Sequence, residues 1–169
     1  LKVLGIDPGL QVTGYGVISV SRDFPRRKEL ELVEAGIVRT DARSGIAQRR
    51  KKVHDSLSEL MSELRPDVLA IEKLYSHYEH PATAILMGHV RGVVCLLSGT
   101  HAVPLVNIAS THVKKAVTGK GHASKSQMQR MVQYHLGLSK MPEPPDVADA
   151  LAVAIAHIFS LRANGGRDQ

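Results

Sequence analysis

The chain has 169 residues, 43% of them hydrophobic, enough for one compact domain with a sizeable core. No apolar run approaches the ~18 residues of a membrane span, and the single cysteine, Cys95, excludes an internal disulfide and fits a reducing cytoplasm. Lysine and arginine total 22 against 16 acidic residues, a formal charge of +6, which suits a polyanionic partner such as nucleic acid.

In chain order, three early strands are predicted over 1–7, 12–20 and 30–39. No leader peptide is expected, since the chain opens on a strand. Pro8-Gly9 is too short for a crossover, so the first two strands pair antiparallel. Residues 22–28 read as a polar, basic turn. Ile46, Val53, Leu57, Leu60, Met61 and Leu64 share one face of a helix over 45–64, with Arg49, Arg50, Lys51 and Lys52 as its solvated cover. Arg65-Pro66-Asp67 ends that helix. The unbroken apolar run Val68-Leu69-Ala70-Ile71 before Glu72 then reads as a central strand covered on both sides.

A polar, aromatic loop over 73–80 precedes a helix from Pro81 to about 98, in which Cys95 reads as a small core residue. A short strand follows over 103–106. A helix capped by Ser110 or Thr111 ends at Gly119, another covers 124–136, and the last covers 145–162 with Val147, Leu151, Ile155, Ile158 and Phe159 inward. The expected organisation is a single domain over 1–162 and a disordered tail over 163–169. The expected architecture is a mixed α/β sheet, three antiparallel strands followed by parallel ones, with helices on both faces.

Four acids stand out from that pattern. Asp7 and Glu72 each end an apolar strand, and they end neighbouring strands if the fourth pairs parallel to the first. Asp146 and Asp149 sit three apart at the start of the last helix and share a face. An unpaired carboxylate withdrawn from water costs several kcal/mol or shifts its pKa, and a divalent cation held by all four would remove that penalty. Oxygen ligands of this kind suit Mg²⁺ or Mn²⁺, one or two ions, in phosphodiester hydrolysis. Each acid also has a plainer reading: Asp7 capping its own turn, Glu72 a strand-end acid, Asp146 an N-cap, Asp149 a partner of the helix dipole.

A second chemical region runs from Val113 to Lys125. Its lysines Lys114, Lys115, Lys120 and Lys125 and glycines Gly119 and Gly121 could hold a phosphate backbone or form a solvated basic turn. The Walker A spacing and the Gly-x-Ser-x-Gly elbow are both absent, and no His-Cys cluster has zinc spacing; His77 and His80 are three apart, but in a loop.

Taken together, Gly5-Ile6-Asp7-Pro8-Gly9, Ile71-Glu72, the segment from Val113 to Lys125, and Asp146-Val147-Ala148-Asp149-Ala150-Leu151-Ala152 resemble the RuvC family of bacterial Holliday-junction resolvases, in order and in register over nearly the whole chain. The resemblance implies an RNase H-like fold and a homodimer that nicks two strands of like polarity at a four-way DNA junction in recombination and repair. It implies that Asp7, Glu72, Asp146 and Asp149 bind the metal, and that Lys114 and Lys125 lie near the scissile phosphate. It further implies a branch-migration complex of RuvA and RuvB as partner. Tyr75 falls where the family places an aromatic that stacks at the junction core. The stretch from Glu72 to Gly88 is one residue longer than the family pattern, which leaves Tyr78 as the alternative. Lys120 is an additional lysine in the DNA-binding segment, with no assigned role.

Two other classes share some of these features. Asp7-Pro8-Gly9 with Gly14 and Gly16 also resembles the phosphate hairpin of actin-like ATPases and sugar kinases, which need a second related domain. A junction-binding protein without activity would not require all four acids. The helix over 81–98, with Gly88 and Gly92 one turn apart, is the expected dimer element, and packing on the sheet is its alternative.

Overall fold

The computed structural model describes residues 1–21, 30–73 and 81–165. Three strands, β1 (Lys2–Asp7), β2 (Val12–Val20) and β3 (Leu30–Arg39), precede α1 (Ile46–Leu64) and β4 (Val68–Glu72). Then come α2 (Pro81–Thr100), β5 (Leu105–Ile108), α3 (Ser110–Thr118), α4 (Lys125–Leu136) and α5 (Pro145–Gly165). The strands form one sheet in the order β3-β2-β1-β4-β5. The β1-β2 and β2-β3 pairs are antiparallel, whereas β1-β4 and β4-β5 are parallel. β1 is therefore the switch strand, and Asp7 and Glu72 stand at the same end of two neighbouring interior strands.

Strand alternation sorts the side chains into two cores. Val3, Ile18, Ala70 and Ile108 pack with α3, α4 and α5, while Leu4, Ile6, Val17, Leu69 and Ile71 pack with α1 and α2. By the same alternation, residues 5 and 7 of β1 and 70 and 72 of β4 face α5. Both strand-end acids thus point to the face where the other two are carried.

How closely α5 can approach is set by small residues. A Cβ at Gly5 would stand 2.1 Å from the carbonyl oxygen of Ala150, and one at Gly14 would stand 2.1 Å from that of Asp146. The helix answers with alanines: Ala148, Ala150, Ala152, Ala154 and Ala156 are all buried. Its backbone lies almost on the sheet, and its first turn is delivered beside Asp7.

Several boundaries and exposures differ from the sequence reading. β5 begins at Leu105 rather than at 103, because the Val103 N–H is spent on Ser98 O (3.0 Å) and Pro104 has no N–H to offer a ladder. The N-cap of α3 is Ala109, without a side-chain bond, so neither Ser110 nor Thr111 caps it. Ser124 caps α4 through Gln127 in a capping box. α5 continues to Gly165, past the expected end at 162.

Cys95 is exposed, not a core residue, since it shares the outward stripe of α2. Ile46 is likewise exposed, two turns before Val53, the first α1 residue that reaches the core. Arg49 is more than solvated cover: its guanidinium donates to the Leu10 carbonyl (3.1 Å) and to Thr40 Oγ1 (3.1 Å), tying α1 to the turn after Asp7.

Candidate active site

At the β1/β4 end of the sheet, Asp7, Glu72 and Asp149 line a cavity of about 320 Å³ together with Lys114, Lys125 and Ser110. Five elements supply these groups. β1 and β4 end on Asp7 and Glu72, α3 carries Ser110 and Lys114, the first turn of α4 carries Lys125, and α5 carries Asp149. The α3 helix stops at Gly119 in a left-handed conformation (φ 77°), with the Gly119 N–H on Lys115 O at 2.9 Å. The chain can then turn sharply and bring the start of α4 back beside the start of α5.

Electrostatics bind the acids into one unit. Burial is the main reason the Asp7 carboxyl is pushed up to about 7, and the charges of Asp149, Asp146 and Glu72 add to it against the opposing pull of Lys125. Burial also raises Asp149, with Asp146 adding to the effect and Lys125 and Lys114 opposing it. Glu72 is raised by burial and by Asp149, while a hydrogen bond from Ser110 and the charges of Lys114 and Arg91 pull it back. Asp146 stands beside this group, one turn before Asp149. A cluster in which Asp7, Glu72 and Asp149 resist ionisation, chiefly through burial and further through the charge of neighbouring acids, fits a hard divalent cation, with carboxylate oxygens as its donors. Among the described residues, no three of these side chains are already gathered into a closed ligand shell, so the carboxylates would have to draw together around an ion.

The structure therefore brings Asp7, Glu72, Asp149, Lys114 and Lys125 to one cavity with Asp146 at its side. Lys120 is exposed and does not line the cavity; the Thr118 hydroxyl holds its backbone at both N–H and C=O. Tyr75 and its alternative Tyr78 lie outside the described residues, as do His77 and His80. Two polar residues at the site went unassigned in the sequence reading. Ser110 was visible only as a candidate cap. Arg91 carried a usable signal: it is the sole lysine or arginine in α2.

A five-stranded mixed sheet of this order, flanked by helices and carrying carboxylates at the ends of its switch strand and neighbour, defines an RNase H-like nuclease domain. The family model for the crossover junction endodeoxyribonuclease RuvC matches residues 3–157. The RuvC of Rhodopirellula baltica is 47% identical over 153 residues, covering 90% of this chain and 83% of that protein. The solved structure of Thermus thermophilus RuvC in complex with a Holliday junction substrate superposes with a TM-score of 0.89 at 31% identity, covering 97% of this chain and 96% of that one. The yeast mitochondrial Holliday junction resolvase shares the fold at a TM-score of 0.68 and 14% identity, covering 98% of this chain and 81% of that one. The chain belongs to the RuvC family.

Proposed function

We infer that this protein is a metal-dependent endonuclease that resolves four-way DNA junctions by paired phosphodiester hydrolysis. The observation that carries the reading is the single cavity in which three carboxylates from β1, β4 and α5 face two lysines from α3 and α4. Asp7, Glu72, Asp146 and Asp149 are the residues that would hold Mg²⁺ or Mn²⁺, one or two ions. Bound there, the metal would acidify an attacking water and offset charge on the leaving oxygen. Lys114 and Lys125 act differently, as ammonium groups on the rim that hold the non-bridging oxygens of the scissile phosphate. The net charge of +6 favours approach of a DNA backbone, and concentrating acids in one cavity leaves the remaining surface more basic still.

Paired nicks at a junction of near two-fold symmetry call for two sites in fixed relation, which an isologous dimer supplies. α2 suits that contact. Ile85 and Leu96 are each 60% exposed, and they share one helical stripe with Gly88 and Gly92, where an added Cβ would meet nothing within 4 Å. A partner helix could pack there at short range. Tyr75 would stack on a base opened at the crossover, an interaction worth about 1–3 kcal/mol. Lys120 would add a contact to the DNA backbone outside the cavity. A branch-migration complex of RuvA and RuvB is the partner this activity would use, in the cytoplasm; among the described residues no helix is long and apolar enough to cross a membrane.

The decisive experiment compares four-way and linear DNA of the same sequence, with Mg²⁺ and with chelator. Symmetric nicks in the junction that require the metal are expected. Equal cutting of the linear duplex, or cutting in chelator, would refute the reading.

A further inference from the structure

The acids face α5, yet the end of β4 is also held from the opposite side of the sheet. Asn107 pairs with Ile71 in the β4-β5 register, so it points with Ile71 toward α2. There the guanidinium of Arg91 donates one N–H to the backbone carbonyl of Glu72 and another to the side-chain oxygen of Asn107. Just beyond, the Lys73 N–H donates to Ile108 O at 2.7 Å and carries the β4-β5 ladder one residue past Glu72. On the cavity side, the Ser110 hydroxyl meets the Glu72 carboxylate. Glu72 is the final residue of its strand, and the paired register with β1 ends at Ile71, so the ladder holds Glu72 from the β5 side alone.

We propose that Arg91 is a positioning residue for the nuclease site: its planar fork, braced on Asn107, locks the last peptide of β4 so that Glu72 presents its carboxylate to the cavity. The inference rests on the reading of Glu72 as a metal-holding acid. A guanidinium suits the task because two N–H groups in a fixed plane can bridge two acceptors, whereas an ammonium is a single point donor on a flexible stem. Arg91 also sits at the margin of the exposed stripe of α2, one residue from Gly92, so the same helix that offers a dimer face grips the acid. Groups that orient metal-holding side chains typically contribute about 10–100-fold in metal affinity or activity.

The test uses Arg91→Gln, Arg91→Lys and Asn107→Ala in the full chain, with Mn²⁺ as probe. Mn²⁺ binding is measured without DNA by paramagnetic resonance, junction affinity in Ca²⁺, and single-turnover cleavage across a Mn²⁺ titration. We expect Arg91→Gln to weaken Mn²⁺ binding roughly tenfold and to raise the half-saturating Mn²⁺ for cleavage by the same factor. Junction affinity should hold, excess Mn²⁺ should restore the rate, and Arg91→Lys should recover part of the loss. Asn107 is exposed, so Asn107→Ala will fold even if Arg91→Gln does not, and it should show a smaller shift in the same direction. Unchanged Mn²⁺ binding in Asn107→Ala and in folded Arg91→Gln would overturn the proposal while leaving the nuclease reading intact. So would a rate loss that excess Mn²⁺ fails to restore. Wild-type protein that neither binds Mn²⁺ nor cuts junctions would overturn both.

Discussion

Replacing Asp7 by Asn should make the metal-free protein more stable while abolishing cleavage. Burial, reinforced by Asp149, Asp146 and Glu72, lifts the folded-state pKa of Asp7 from the ordinary 3.8 to about 7. Between those values the folded chain keeps a proton that the unfolded chain has released, so stability falls as pH rises through the window from about 4 to 7. By pH 8 the loss is complete, and a shift of that size corresponds to at most about 4 kcal/mol. Asn carries no charge to desolvate, but an imperfectly bonded amide returns about 1–3 kcal/mol of that gain. A net stabilisation of roughly 1–3 kcal/mol at pH 8 follows, several degrees in Tm for a chain of this length. The assay is urea unfolding of both proteins in chelator at pH 5 and pH 8. The gap should be wide at pH 8 and small at pH 5, and Mn²⁺ at pH 8 should close it by stabilising the wild type through binding to the folded state. An Asp7→Asn variant less stable than wild type at pH 8 in chelator, or a gap indifferent to pH, would refute the reasoning.

Lys114→Ala or Lys125→Ala should slow single-turnover cleavage more than it weakens junction binding. The opposite pattern, with a salt slope lowered by about one and normal cleavage, would make them ordinary backbone contacts. Gly14→Ala should cost about 1–3 kcal/mol or more by urea unfolding, because the new methyl would meet the carbonyl of Asp146 rather than a movable side chain. It should also depress cleavage, since the start of α5 must retreat from Asp7; a silent variant would mean the helix is not held that close. Leu96→Glu should shift the protein toward monomer in sedimentation with little change in its unfolding midpoint. Retention of a wild-type dimer would move the interface off α2.

Much of this molecule was legible in one dimension, for identifiable reasons. β2, β3 and β4 match their expected bounds because apolar patterning, Pro-Gly and Arg-Pro-Asp breaks and strand length all agree there. Asp7 and Glu72 were visible because an acid at the end of an apolar run contradicts its surroundings, and Asp146 and Asp149 because three-residue spacing places them on one helical face. Lys114 and Lys125 could be paired only by resemblance, since ten residues, a left-handed glycine among them, separate them and sequence spacing does not show that they meet.

What sequence periodicity could not decide was which side of an element faces in. α2 is apolar nearly all round, so its pattern could not separate buried Val90, Val94 and Leu97 from exposed Ile85, Cys95 and Leu96. The assignment depends on where the sheet lies relative to the helix axis. Nor could it show that Gly5 and Gly14 admit α5 or that Arg91 reaches Glu72 from the far face. Those contacts join residues between 16 and roughly 150 positions apart, and local pattern carries no information about a distance that only the packed sheet creates. Sequence alone determined which carboxylates are out of place. The crossing of α5 over the β1 switch strand decided that they stand together, because only at that crossing do two strand ends and a helix start share one cavity.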